Sequence, residues 1–301
     1  MSSSPKSIKK REKMNFPHFE RELIFLILLL VTAVGSDGQG IRGYDRSAQG
    51  PTTKELSQSL LARDLRGKEP PVLTATAIVD KLLIANERRS AELRGFQGTR
   101  LYHLQYHGLL GTREAEMKVL ANYTAPDQRD FSVVSQSGSK LLLNRVLLKL
   151  LDSEKEALQN RKQIELSPAN YQFDLLGTER LANGNPCYVL AVKPLKENKF
   201  LYRGKIWVDA ADFAVTQMEG QPAKSPSFWI KDTAIESRWA KVGDFWFIQH
   251  NASTSHVRMG GMAVLTIDYA NYQVTAVDRR SGQRRDPAAV LPDPASVTPQ
   301  R

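Results

Sequence analysis

The chain has 301 residues, of which 41% are hydrophobic and 25% are charged, a composition typical of a globular protein rather than a disordered or fibrous one. Its formal charge is +10, but the excess lies mainly in the terminal segments, because residues 71–278 hold 25 basic and 22 acidic side chains. Nucleic-acid-binding proteins concentrate positive charge on one folded face, so this nearly neutral body argues against a nucleic-acid partner.

The N-terminal segment has the layout of a secretory signal. Six basic residues between Lys6 and Arg21 precede a twelve-residue, largely apolar run at 23–34, and small residues follow it. Twelve helical residues span about 18 Å, less than the roughly 30 Å of a hydrocarbon layer, so a signal peptide over 1–35 is favoured over a membrane anchor. We therefore expect a periplasmic protein, with an uncleaved anchor and a true start at Met14 as the alternatives.

The chain has a single cysteine, Cys187, in a predicted strand. One cysteine excludes an intrachain disulfide and a cysteine-based zinc cluster, and a small buried thiol is its expected role. His103 and His107 are four residues apart, about 13 Å along a strand, which is too far for both to bind one ion. We therefore predict neither a metal site nor another cofactor.

The chain divides into four segments by composition. After the signal, residues 36–70 are rich in Gly, Ser, Gln and charge and are predicted to form a linker, whereas residues 279–301 are predicted to be a disordered tail. Residues 71–278 are predicted to form one domain. Apolar residues recur at intervals of three and four over 76–93 and, with many leucines, over 139–161, which predicts two amphipathic helices.

Most of the domain alternates between apolar and polar residues with period two, which is typical of half-buried strands. Tyr102 and Leu104 share one face of such a strand, and Met117 and Val119 share one face of the next. About ten strands of this kind are joined by short connections. The predicted fold is α+β and mainly antiparallel: a curved sheet or incomplete β-barrel of about ten strands, covered by two or three helices.

Aromatic residues cluster in one stretch of the predicted sheet. Ten of the 24 lie between Phe200 and Phe247, including every tryptophan. Alternation places them on both faces, since Tyr202 and Ile206 oppose Trp207. One face would pack on a helix, and the other would need a second cover, either the other helix or a ligand.

Motifs for catalysis are absent from the sequence. No nucleophile elbow, phosphate-binding loop or paired-carboxylate segment is found, so we do not expect an enzyme. The spacing GQGIRG at 38–43 matches a dinucleotide-binding pattern, but it lacks the strand before it and the helix after it that such a loop requires.

Several segments of the second half together carry a family resemblance. They are YRGKIWVD at 202–209, DFAVTQMEG at 212–220, SFWI at 227–230, KVGDFWFIQH at 241–250 and LTIDYANYQV at 265–274. They resemble the LolA/LolB-like superfamily of periplasmic lipoprotein and lipid carriers, in particular outer-membrane lipoprotein-sorting protein homologues. The resemblance implies an incompletely closed antiparallel barrel whose apolar concave side is covered by helices and holds acyl chains or another apolar ligand.

The sequence therefore predicts a monomeric, non-enzymatic periplasmic carrier or binding protein for lipids or lipoprotein acyl chains, with a role in outer-membrane biogenesis. Its expected protein partners are membrane-associated release or acceptor proteins, and displacement of either helix would admit the ligand. The alternatives are a periplasmic sensor or interaction module of the same fold with a filled cavity, and a secreted hydrolase with scattered carboxylates. The candidate ligand-binding residues are Tyr102, Leu104, Met117, Val119, Leu143, Leu147, Tyr202, Ile206, Trp229 and Trp239.

Overall fold

A computed structural model describes residues 70–277 and 284–288, apart from positions 110, 127, 160–163, 199, 226, 227, 229 and 259. Helix α1 is Ala75–Glu92, and helix α2 covers residues 140–159 as Lys140–Leu142, a π-helical turn at Leu143–Leu147, and Leu148–Gln159. The strands are β1 (Leu93–Gly108), β2 (Gly111–Thr124), β3 (Gln128–Gly138), β4 (Tyr171–Arg180), β5 (Pro186–Pro194), β6 (Tyr202–Asp209), β7 (Val215–Pro222), β8 (Ile230–Val242), β9 (Phe245–Val257), β10 (Gly261–Val277) and β11 (Arg284–Ala288).

All strands belong to one antiparallel sheet in the order β3-β2-β1-β10-β9-β8-β7-β6-β5-β4, with β11 paired to β10. Strands β3 and β4 are the edges of this path, and no pairing among the described residues joins them, so the sheet is open. The predicted antiparallel sheet of about ten strands with two covering helices is confirmed.

Helix α1 forms where an extended segment meets a run of apolar residues at helical spacing. Thr74 caps its start, since the Thr74 hydroxyl accepts a hydrogen bond from the Ala77 backbone nitrogen at 3.2 Å. Ile78, Val79 and Leu82 are buried on one side, and the helix ends where the chain extends into β1. It contacts β4, so it covers the second half of the sheet.

Helix α2 is interrupted by its own π turn. The turn carries Leu143, Val146 and Leu147, all buried, and the leucines continue along the same side at Leu150 and Leu151. The helix contacts β2 and β3, so it covers the first half of the sheet. Because π turns are less stable than α-helix and concentrate at functional sites, this segment marks where α2 departs from regular packing.

The apolar residues of both helices and of one sheet face form one continuous core, and we call this helix-covered side of the sheet the inner face. Register shifts interrupt the pairings of β1 with β10, β2 with β3, β6 with β7 and β8 with β9, and bulges of this kind bend strands. Gly204 and Gly220 face each other across β6 and β7, where a Cβ on either would collide with the opposite backbone. The backbones of β6 and β7 therefore come too close at this pair for any residue other than glycine.

Two strands differ from the sequence-based predictions, and two predicted segments are not among the described residues. Strand β3 is longer than the predicted segment at 131–134, and residues 284–288, inside the predicted disordered tail, form β11 by main-chain pairing, which requires no apolar side chain. The predicted signal and the predicted linker up to position 69 lie outside the described residues. Neither helix described here is apolar enough over a sufficient length to cross a membrane.

Candidate functional site

Eight of the ten candidate ligand-binding residues lie together in the core between the helices and the sheet. Each has at most 5% of its surface exposed. They are Tyr102, Leu104, Met117, Val119, Leu143, Leu147, Tyr202 and Ile206. The sheet residues among them belong to the inner face, and Leu143 and Leu147 come from the π turn of α2 that lies above it.

The two tryptophan candidates differ from these eight. Trp239 is partly buried and packs against the edge of the same core, next to a register shift between β8 and β9. Trp229 lies outside the described residues. Register explains how the strand candidates meet, since Tyr102 is paired with Met117 and Leu104 with Ala115 across β1 and β2.

A buried charge cluster, formed by Arg100, Arg129 and Glu154, joins helix α2 to the sheet. Arg100 on β1 donates two hydrogen bonds to the Glu154 carboxylate, from Nη1 to Oε2 at 2.6 Å and from Nη2 to Oε1 at 3.1 Å. Arg129 on β3 donates from Nη1 to the same Oε1 at 2.7 Å. The three side chains are 4 to 6% exposed, so one carboxylate serves two guanidinium groups away from water.

Aromatic side chains surround the charge cluster. The Arg100 guanidinium lies 5.0 Å from the ring centre of Phe131 and 5.3 Å from that of Tyr269, and its Nη1 donates to the Tyr102 hydroxyl at 3.3 Å. The Arg129 guanidinium lies 5.7 Å from the ring centre of Tyr123. The faces of these rings attract the guanidinium groups weakly. Because the rings also exclude water, the local dielectric constant around the cluster is low.

The two arginines shape the ionisation of Glu154. Burial alone would raise the pKa of this carboxyl, but the Arg100 and Arg129 charges outweigh burial and hold the pKa below its ordinary value of 4.5. Burial, reinforced by Arg100, lowers the pKa of Arg129 against the opposing effect of Glu154. The cluster therefore holds two cations and one anion, a net charge of +1 among the described side chains around it.

A polar seam crosses the inner face on β8 and β9. The seam consists of Thr233, Ser237, Asn251, Ser253 and Ser255, all buried. Their register places them level with inner-face residues of β10, since Asn251 pairs with Ile267 and Ser253 with Leu265. The Asn251 Nδ2 donates to the Ser237 hydroxyl at 3.0 Å, so small hydroxyl groups stand where large apolar side chains would fill a core.

Unpartnered polar atoms are found on this same inner face. Among the described residues, the buried side-chain atoms without a hydrogen-bond partner are Arg129 Nε, Tyr202 Oη and Asn251 Oδ1. Native proteins pair nearly all such atoms, and each exception needs a physical reason, such as a bound molecule or water. All three belong to residues of the inner face, and none is on the opposite face of the sheet.

Helix α1 is held to the sheet differently. Arg89 donates to the backbone carbonyls of Asp212 and Phe213, both at 3.0 Å, in the turn between β6 and β7. Burial lowers the pKa of Arg89 to about 10, and the charge of Asp212 opposes that shift. Lys81 lies over the Phe213 ring at 5.3 Å. The described hydrogen bonds of Arg89 to the sheet go to backbone carbonyls, and the carboxylates of Asp212 and Asp209 act on it only through their charge.

Two histidines and the single cysteine of the sheet have ordinary surroundings. His103 contacts Glu116 at 3.1 Å, and His250 contacts Asp268 at 2.6 Å, each with a partner on a neighbouring strand. Cys187 is buried as predicted, and burial raises the pKa of its thiol to about 12. The described residues contain no group of three or more His, Cys, Asp or Glu side chains placed to hold a metal ion.

Sequence reasoning missed the charge cluster and the polar seam. Charged residues within an alternating or helical pattern were assigned to solvent. A signal was nevertheless present, because Arg100 has the same parity as Tyr102, Arg129 has the same parity as Phe131, and Glu154 continues the buried side of α2 four residues after Leu150.

The described residues thus form an open antiparallel sheet with two helices over one apolar face, the architecture that the resemblance to LolA-like proteins implies. No protein-family model and no curated protein sequence matches the chain.

Among solved structures, the chain is similar to a DUF1329 family protein from Desulfovibrio piger, with 14% identity, coverage of 67% of this chain and 94% of that chain, and a TM-score of 0.37. It is similar to an outer membrane lipoprotein-sorting protein domain from Vibrio parahaemolyticus, with 13% identity, coverage of 66% and 92%, and a TM-score of 0.35. It is also similar to a LolA superfamily protein from Nitrosomonas europaea, with 13% identity, coverage of 67% and 93%, and a TM-score of 0.30.

Proposed function

We propose that the protein is a non-enzymatic periplasmic carrier or binding protein for lipids or lipoprotein acyl chains, which it holds between the inner face of the sheet and the two helices. The predicted signal peptide would deliver it to the periplasm. Membrane-associated proteins would release the ligand to it or accept the ligand from it. It would act as a monomer.

The observation that carries this proposal is the construction of the interior beneath α2. Helix α2 lies on an apolar face, a π turn interrupts it at Leu143–Leu147, and unpartnered polar atoms remain on the inner face. Interruptions by π turns are frequent at functional sites, and each buried polar atom without a partner calls for a physical reason such as a bound molecule. Displacement of α2 would expose a continuous apolar surface whose burial against an acyl chain yields about 25 cal/mol per Å².

The test uses the full chain and a matched pair of substitutions on β1. Leu104 is buried on the inner face, whereas Leu101 is 41% exposed on the opposite face. We expect a fluorescent fatty acid to bind the full chain saturably, Leu104→Trp to weaken that binding at least about tenfold by filling the space, and Leu101→Trp to leave it unchanged.

Mass spectrometry of an organic extract of the purified protein provides an independent measurement, and we expect co-purified lipid. The proposal would be overturned by an extract without lipid together with the absence of saturable fatty-acid binding.

The second candidate function is an interaction module of the same fold, whose interior stays filled by its own side chains. One observation favours it: the eight described candidate residues are already covered, each at most 5% exposed. In that case a protein partner would bind outside the core. Fatty acid would then fail to bind the full chain, and neither tryptophan substitution would change that result.

A further inference from the structure

The charge cluster is a site for an anion that the protein's own Glu154 occupies. Two arginines converge on one carboxylate with three hydrogen bonds between 2.6 and 3.1 Å, the arrangement with which guanidinium groups bind carboxylates and phosphates. The two arginines come from strands of the sheet, whereas the anion comes from the covering helix. Removal of α2 would therefore leave the arginines in place and remove their only described counter-charge.

Arg129 supplies a second, independent observation. Its Nε is buried and has no hydrogen-bond partner among the described residues, although its side chain is only 4% exposed. The cluster thus keeps an unused donor and a net positive charge inside the protein. Structural ion pairs in protein interiors are normally balanced, because each uncompensated charge carries a large desolvation cost.

The register of the sheet relates this anion site to the apolar surface. Arg100 precedes Tyr102 and Leu104 on the same inner face of β1, and Val119 lies directly opposite Arg100 on β2. Leu104 is therefore about 13 Å from Arg100 along the strand. A molecule with an anionic end at the arginines and an apolar tail over Tyr102 and Leu104 would match the polarity of this strip.

We propose that Arg100 and Arg129 bind the anionic head group of the lipid, a carboxylate or a phosphate, and that Glu154 is an internal substitute for that head group when α2 is closed. This inference rests on the proposed function and names its ligand class as anionic amphiphiles. Binding exchanges one anion for another, so the lipid replaces Glu154 without leaving the two arginines unpaired. The exchange also couples ligand entry to release of the helix.

The test compares ligand pairs that share a tail and differ in charge. Palmitate is measured against hexadecanol, and dioctanoyl phosphatidic acid against dioctanoylglycerol, by competition with a fluorescent fatty acid on the full chain. Since hydrogen bonds to charged groups contribute about 1.5 to 3 kcal/mol, we expect the anionic member of at least one pair to bind about tenfold or more tightly. A preference in the first pair alone identifies the carboxylate source, and in the second alone the phosphate source.

Arg129→Met is the decisive variant, because it leaves the two-bond pair between Arg100 and Glu154 in place. We expect it to bring the ratio of anionic to neutral affinity close to one, with the hexadecanol affinity of the same variant as the reference for that ratio. The control is Arg113→Met, which removes an exposed guanidinium from neighbouring β2 and should leave the ratio intact. Glu154→Gln provides a separate measurement, since loss of the internal competitor should raise the ratio above that of the wild type.

The outcomes separate the two proposals. Equal affinity for charged and neutral members of both pairs in the wild type, or an unchanged ratio in Arg129→Met, would overturn the anion site and leave the apolar binding site standing. Absence of binding by every lipid would overturn the proposed function and this inference with it.

Discussion

The two helices cover the same sheet face but are fastened to it by different chemistry. Helix α1 lies on the second half of the sheet with a regular apolar side, and Arg89 bonds two neutral backbone carbonyls at its end. Helix α2 lies on the first half with a π turn at its centre, and Glu154 is held by two buried arginines. Under the proposed exchange of anions, α1 stays part of the core and α2 is the helix that moves.

The difference follows from what each contact leaves behind when it breaks. When the contact of α1 breaks, the carbonyls of Asp212 and Phe213 regain water at little cost, and Arg89 still has the carboxylates of Asp209 and Asp212 nearby. The arginines under α2 bind any anion that replaces Glu154, so their contact is exchangeable. Both helices bury an apolar side, but under this proposal only α2 also has a charged partner that a competing anion can replace.

The largest effect is expected from Glu154→Ala, which leaves two buried guanidinium groups without a counter-charge. We expect the free energy of unfolding to fall by about 3 to 5 kcal/mol. Chemical denaturation followed by tryptophan fluorescence measures it. Asp152→Asn is the control, because it removes an exposed carboxylate from the same helix and should cost little. A similar loss in both variants would show that α2 is not held by the cluster.

Acid should weaken the attachment of α2 through the same carboxyl. The pKa of Glu154 is lowered in the folded protein, so below its ordinary value of 4.5 the unfolded state takes up a proton that the native state does not. Stability is therefore lost as the pH falls through the folded pKa, while Arg100 and Arg129 stay charged and Tyr102 and Tyr269 stay neutral. Wild type should lose stability more steeply below pH 4.5 than Glu154→Gln, and parallel curves would contradict this assignment.

One buried leucine on each helix gives a matched apolar comparison against which the ionic difference is measured. Leu82 on α1 and Leu147 on α2 are both fully buried. Each substitution to alanine should lower the free energy of unfolding by about 2 to 5 kcal/mol, as the loss of a core leucine does.

If α2 is displaced by ligand, bound palmitate should reduce the hydrogen-exchange protection of α2 in the wild type and leave that of α1 unchanged. Equal loss of protection in both helices would remove the distinction drawn above.

A smaller effect is expected at the attachment of α1. Arg89→Met removes the donors to the carbonyls of Asp212 and Phe213 and should cost about 1 to 3 kcal/mol. Lipid affinity measured on the same variant should equal that of the wild type, because α1 is not the helix that opens. A stronger affinity in Arg89→Met would instead identify α1 as the moving cover.

The smallest effect belongs to Lys81, an exposed residue whose ammonium lies 5.3 Å from the centre of the Phe213 ring. Lys81→Met should reduce the free energy of unfolding by about 0.5 to 1 kcal/mol. Thermal unfolding compared with Lys118→Met, an exposed lysine on β2, measures the difference. Equal midpoints in the two variants would show that the cation contributes nothing to the attachment of α1.

The sheet and most of its inner face were predictable from alternation. Tyr102, Leu104, Met117 and Val119 read as one apolar surface because the strands are regular there and residues two apart share a face. Leu143 and Leu147 were predicted from helical spacing, which a π turn preserves closely enough to leave both on the buried side.

The ionic part of the candidate site was not predictable by the same rules. Arg100, Arg129 and Glu154 are separated by up to 54 residues in the sequence. Each of them, considered alone, is expected to be exposed, because Arg and Glu are rarely buried without a partner. Their burial depends on three elements meeting at one point, a property of the tertiary arrangement that no local pattern records. The polar seam at Ser253 and Ser255 escaped for a related reason, since short hydroxyl side chains on alternate positions are equally typical of an exposed strand.

The single thiol of the chain has a practical consequence for experiments on helix motion. Cys187 is fully buried, and its pKa of about 12 leaves almost no thiolate at neutral pH. Maleimide dyes would therefore not react with the Cys187 thiol, so the native sequence can be labelled as if it contained no cysteine. A cysteine introduced at Asn144, an exposed position on α2, would carry one label and report the opening of that helix by fluorescence without any further substitution.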